Sequence, residues 1–241
     1  MIKRFQNLFR DQKQQRLFLL LCLATLFNFV LVGYRLHYMA FDFSKIQSFR
    51  DLLDHRGYAT FLFLIWNLFL AWVPYFIALI MDRTYEKTKS KGLLGFLFVA
   101  WLLFFPNAPY ILTDLLHLKS RHPIPHWYDL MMIVSFAWTG LMLGYLSLFE
   151  VQRFLTKKFS ARLGMGIAVG SILLCSFGIY LGRFLRWNTW DVLFRPHLLI
   201  GDIFEVVFNP FAYTGTLGIA VILACFLLIG YFILNTLISD S

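Results

Sequence analysis

The chain has 241 residues, a formal net charge of +9, 59% hydrophobic residues, only 15% charged ones, and 28 phenylalanines. A soluble domain of this length has no core large enough to hide so many apolar side chains. The basic balance is that of loops flanking membrane spans rather than of a nucleic-acid surface, because no soluble basic domain accompanies the seven tryptophans.

The first segment carries Lys3, Arg4, Arg10, Lys13 and Arg16 ahead of an apolar run at 17–34. That run starts late, is too long for a signal-peptide core and has no small-residue cleavage site after it. It predicts a retained first helix. Further runs follow at 58–81, 92–112, 129–149, 163–182 and 212–237. A span needs about 20 residues to cross ~30 Å of hydrocarbon, so each run qualifies. The prediction is an all-α membrane protein, a six-transmembrane-helix bundle forming a single integral membrane domain over 1–241. Cys22, Cys175 and Cys225 all fall inside apolar runs without a CxxC, which makes them small packing residues.

Lys and Arg set the expected orientation. Thirteen lie in the N-terminal segment and in the loops after the second and fourth spans, against nine spread over the longer remaining loops. The positive-inside rule then places both termini in the cytoplasm of a cell-membrane protein. All six histidines and eight of the thirteen acids fall on the other, outer side. Chemistry is expected there.

Between the first two spans, Ile46, Phe49, Leu52 and Leu53 recur at helical spacing after Ser44, a candidate N-cap. This predicts a short interfacial helix on the outer face. The third span meets Pro106 and Pro109 before it ends. Each proline removes a backbone donor and disfavours helical angles in the residue before it, Phe105 and Ala108. The third helix is therefore expected to break at PNAP and to restart with Asn107 as its N-cap. Non-helical backbone at that depth is tolerated only under protein cover or beside a water-filled cavity.

On the restarted helix Asn107, Tyr110, Asp114 and His117 lie within roughly 80° of arc at 100° per residue. Ionisable groups at a membrane edge are costly and mark candidate sites. Further on, His122 and His126 flank Pro123 and Pro125 in a turn. After the fifth span Arg183 and Arg186, one turn apart among tryptophans, fit either interfacial anchoring or an anionic head group. Asp202 and Glu205 share the spacing of Asp114 and His117.

The run Phe105-Pro106-Asn107-Ala108-Pro109-Tyr110, with Thr113-Asp114-Leu115 and His117-Leu118 after it, resembles the signature of a bacterial membrane-protein family, domain of unknown function 1361. Trp127-Tyr128-Asp129-Leu130 and the segment 183–191 are similar to it too, and the likeness runs over about 17–237. The resemblance implies a multi-pass bacterial inner or plasma membrane protein and carries no catalytic residues with it.

Three functions fit the sequence. In the first, an enzyme works on a lipid-linked or envelope substrate, with Asp114, His117 and Asp202 as catalytic groups and Asn107, Tyr110, Arg183 and Arg186 as substrate-binding groups. Asp114, His117, His197, Asp202 and Glu205 would hold a divalent metal. The D-x-x-H pattern more commonly marks an aspartate that accepts from its neighbouring histidine. In the second, a small-solute transporter uses the broken helix as its binding point. In the third, a non-catalytic membrane partner in envelope assembly docks other chains. There, glycine-bearing faces at Gly164, Gly166, Gly170, Gly178 and Gly182 would allow close helix contact. The partners common to all three are the lipid bilayer and an anionic lipid or envelope precursor, with no nucleic acid.

Overall fold

The computed structural model describes residues 9–38, 61–118, 125–187, 189, 191–209 and 213–239. The amphipathic segment at 44–53 and His122 lie outside the described residues. The elements are α1 (Gln12–Tyr38), α2 (Leu62–Thr88), α3 (Lys91–Phe104), α4 (Asn107–Tyr110), a 3-10 helix (Ile111–His117), α5 (His126–Lys158), α6 (Ala161–Phe184), α7 (Asp191–Phe194), α8 (Pro196–Phe208) and α9 (Thr214–Ser239). Among the described residues six helical stretches are long and apolar enough to cross a membrane, with Lys91–Leu116 counted through its break. The fold is an all-α six-helix membrane bundle, with the short helices α7 and α8 after α6.

Local sequence explains the boundaries. Asp11 caps α1: its Oδ1 accepts from the Gln14 backbone N–H at 2.7 Å, while the Gln14 side chain accepts from the Arg10 N–H. Ser90 and Ser160 accept from Leu93 and Leu163 to start α3 and α6. Lys89 turns the chain between α2 and α3 at φ 51°.

α5 is the axis of the bundle. It packs against α1, α2, α4, α6 and the 3-10 helix, and buries Ile133, Phe136, Leu143, Leu148 and Val151. By contrast α1 leaves Leu20, Leu23, Leu26 and Val30 exposed, and α9 does the same with Ile222, Ile229 and Ile233. Water would penalise such faces, whereas lipid does not.

α1 is instead held to α5 by polar contacts. Arg35 and Asp129 form a buried ion pair, Nε to Oδ1 at 2.7 Å and Nη2 to Oδ2 at 3.2 Å. The guanidinium also lies 4.0 Å from the Phe61 ring. A turn or two away, Asn28 donates to the Thr139 hydroxyl and accepts from Ser135.

Candidate functional site

The proline break is milder than the sequence implies. Phe105 keeps right-handed helical angles (φ −55°, ψ −41°), as does Pro106 (φ −59°, ψ −26°). With no extended residue there, Asn107 has no N-cap geometry. Its amide donates backward to the Phe104 carbonyl at 3.0 Å, and the Phe105 carbonyl accepts from the Ala108 N–H. Two carbonyls at the break are thus satisfied by a side chain and by an i+3 bond. Leaving them bare in hydrocarbon would cost several kcal/mol, on the order of a lost buried hydrogen bond each.

Two glycine pairs make room for this irregular segment. On α5, a Cβ at Gly140 would sit 2.5 Å from the Ala108 carbonyl oxygen, and one at Gly144 would sit 3.3 Å from the Ala108 methyl. On α6, a Cβ at Gly178 would lie 3.3 Å from Pro106, and one at Gly182 would lie 3.4 Å from the Tyr110 ring. Both pairs have four-residue spacing, which puts them on one helix face. Gly166 and Gly170, by contrast, meet no atom of this chain within 4 Å.

Beyond Tyr110 the chain tightens into a 3-10 helix with three residues per turn. Side chains there align at i and i+3, so the stripe drawn at 100° per residue is rearranged. Asp114 falls beneath Ile111, and both are buried. Thr113 falls beneath Tyr110 and donates to its carbonyl at 2.7 Å.

Arg183, near the end of α6, reaches this turn. It pairs with Oδ1 of Asp114, and the Thr113 hydroxyl accepts from its Nε at 2.9 Å and from Nη2 at 2.6 Å. The guanidinium carbon lies 4.4 Å from the Tyr110 ring centroid. Asn67 of α2 donates to the other Asp114 oxygen at 2.9 Å. Arg183, Asp114, Thr113, Tyr110 and Asn67 are one network joining α2, the broken segment and α6.

The remaining candidate residues lie apart from it. Arg186 is exposed at φ 60°, a left-handed position that lets the Trp187 N–H turn back to the Leu181 carbonyl at 3.2 Å. Asp202 on α8 accepts from the Trp187 indole at 2.8 Å. His197 is exposed on the first turn of α8, and His126 is exposed at the start of α5 rather than in a loop. Glu205 is exposed and accepts from Tyr213 at 2.7 Å. That bond, more than burial, raises the Tyr213 hydroxyl pKa above its usual range. The His117 side chain lies outside the described residues. Among the described residues no three His, Cys, Asp or Glu side chains come close enough to hold a metal ion. Asp114 has one oxygen engaged by Arg183 and the other by Asn67.

Beside the network lies a cavity of about 440 Å³. Its walls are Leu70 from α2, Leu102 and Leu103 from the end of α3, Pro106 from the break, Gly178 and Leu181 from α6, and Leu199 and Ile203 from α8. Asn67, Asn107, Tyr110 and Thr189 supply polar groups. Two of its residues, Trp66 and Leu174, are more than half exposed on the lipid-facing surface, so the cavity opens sideways.

Sequence reasoning singled out Asn107, Tyr110, Asp114 and Arg183. Asn67, Gly140 and Gly144 do not stand out in the sequence, and Thr113 does so only within the family signature. A lone amide in an otherwise apolar span was the available signal for Asn67, because an amide in hydrocarbon needs a partner.

Six apolar helices around a polar network that bridges a broken span define a multi-pass α-helical membrane protein. The family described as "Protein of unknown function (DUF1361)" matches residues 66–230, and the chain belongs to it. The match begins within α2 and ends within α9, leaving α1 outside it. No curated protein and no solved structure matches the chain.

Proposed function

We propose that this protein binds an amphiphile, a lipid or lipid-linked envelope precursor, in the cavity beside the PNAP break, from the outer leaflet of a bacterial cell membrane. Both termini then lie in the cytoplasm, as the distribution of Lys and Arg favours. The observation that carries the reading is the sideways opening of a cavity with apolar walls and four uncharged polar groups. Small-molecule sites share this make-up, with apolar walls and a few convergent polar groups in roughly 300–1,000 Å³. At about 440 Å³ the cavity takes the polar part of an amphiphile and leaves its chains in the bilayer.

In this reading Asn107 and Tyr110 meet the ligand, and Asp114 and Arg183 are positioning residues. The pair holds Tyr110 under the guanidinium and the broken segment against α6. Charge inside the bundle is thereby neutralised before any ligand arrives. A catalytic role for Asp114 would require it to leave Arg183 during turnover.

The test is photo-crosslinking of the full-length protein in vesicles, using a diazirine-bearing phospholipid and a diazirine-bearing isoprenyl phosphate. Labelling concentrated on 102–110 by either probe, and reduced in Leu174→Trp, supports the cavity. Labelling spread over all lipid-facing helices and unchanged by the substitution overturns it.

A further inference from the structure

A second cavity, of about 610 Å³, lies at the opposite end of the bundle, between α1, α5 and α9. Nothing in the reading above uses it. Its floor is α5, from Trp138 to Thr156, a length of about 27 Å at 1.5 Å per residue. One leaflet holds only ~15 Å of hydrocarbon, half the usual core, so the groove runs the full depth of a leaflet and through its head-group layer.

The groove is graded along that length. Arg10, just ahead of α1, and Lys13 on its first turn come first, and Leu17, Leu21 and Ala24 of α1 follow. α5 runs the other way and presents Met142, Leu146 and Phe149 before Arg153. Two antiparallel helices therefore bring their polar portions to the same end, which gives the groove a head and a tail.

The head is biased to positive charge. Arg10, Lys13 and Arg153 face it, against Asp11 and Glu150. Arg10 pairs with Asp11 at 2.7 Å and Arg153 pairs with Glu150, so the acids hold two of the guanidiniums in place at the rim. Gln152, Thr156 and Asn235 add uncharged hydrogen-bonding groups at that end. Basic pockets between transmembrane helices on the cytoplasmic side suit anionic phospholipid head groups.

We propose that this groove is a binding site for an anionic phospholipid of the leaflet that faces the two termini. The phosphate sits among Arg10, Lys13 and Arg153, and one acyl chain lies along α5 between α1 and α9. The site is independent of the cavity at the PNAP break.

The experiment reconstitutes the full-length protein in nanodiscs of equal parts phosphatidylcholine and phosphatidylglycerol, extracts it in mild detergent and measures the retained lipids by native mass spectrometry. Retained lipid enriched in phosphatidylglycerol is the expected result. Lys13→Gln with Arg153→Gln lowers the enrichment by about fivefold per cation removed. Leu146→Trp, which fills the tail and leaves every charge, abolishes retention. Lys87→Gln with Lys91→Gln, flanking the short loop between α2 and α3, leaves it unchanged. Retention without preference for phosphatidylglycerol overturns the proposal, and so does equal loss in the loop variant. Occupation by a second copy, seen as a dimer cross-linked through Leu20 and Ile238, overturns it as well.

Discussion

Arg35 and Asp129 face each other as a two-point ion pair, 2.7 Å and 3.2 Å, with both side chains almost wholly removed from solvent. The pair ties α1, which lies outside the family match, to the most buried helix of the bundle. Removing one partner leaves the other charge buried and uncompensated, at a cost of about 3–5 kcal/mol. Arg35→Ala and Asp129→Ala should each lower the melting temperature in detergent and open α1 to protease. Arg35→Met combined with Asp129→Leu should recover most of the loss. A double variant as unstable as the sum of the singles would show that the pair is not what anchors α1.

Arg183 makes a different prediction, because its fork serves three partners at once. Nε and Nη2 reach the Thr113 hydroxyl, Nη2 reaches Asp114, and the plane covers Tyr110. Lysine keeps the charge but has neither the fork nor the stacking plane. Arg183→Lys should therefore cost about 1–3 kcal/mol, as expected when buried hydrogen bonds lose a partner. Thermal unfolding checks the cost, and a lysine variant as stable as the parent would reduce the site to a simple ion pair.

The glycines sort into two groups. Gly140→Ala places a methyl 2.5 Å from a backbone oxygen, which cannot rotate away. It should destabilise by about 1–3 kcal/mol, as overpacking does. Gly166→Ala and Gly170→Ala meet open space and should be neutral or slightly stabilising, since alanine restores helix propensity. Detergent denaturation of the three variants in parallel provides the comparison.

Asp11 gives a pH dependence. Its carboxylate is held below the ordinary aspartate pKa, chiefly by the Gln14 backbone N–H and also by Arg10. A lowered folded pKa means that the contribution is complete above the ordinary value, ~3.9 for aspartate, and fades as pH falls through the folded value. Hydrogen exchange in the first turn of α1 should rise in that acidic window. In Asp11→Ala exchange should already be raised at neutral pH, by an amount matching the ~1 kcal/mol of a lost N-cap, and should not rise further on acidification.

What sequence could reveal here follows the range of the forces. Spans and the break were legible because apolar runs and prolines act on their own neighbourhoods, as at 58–81 and Pro106. The partners of Asp114 were not legible. Asn67 precedes it by two spans' length of chain, and Arg183 comes only at the end of α6, so pairing them needs the packing of α2 and α6. The pairing of Arg35 with Asp129, 94 residues apart, is hidden in the sequence for the same reason. The 3-10 turn after Tyr110 was missed because α and 3-10 patterns differ by only 20° per residue over a short stretch.

The position of the glycine pairs has a consequence for biosynthesis. Pro106 rests on Gly178, about seventy residues later in the chain, a separation that makes this contact slow to form. During synthesis the third span enters the bilayer before its cover exists. Its bent backbone must wait, with α2 and then α5 as its first neighbours, until α6 arrives to close over it. Substitutions at Gly178 or Gly182 should therefore act on assembly yield more than on the melting point of molecules that have already folded.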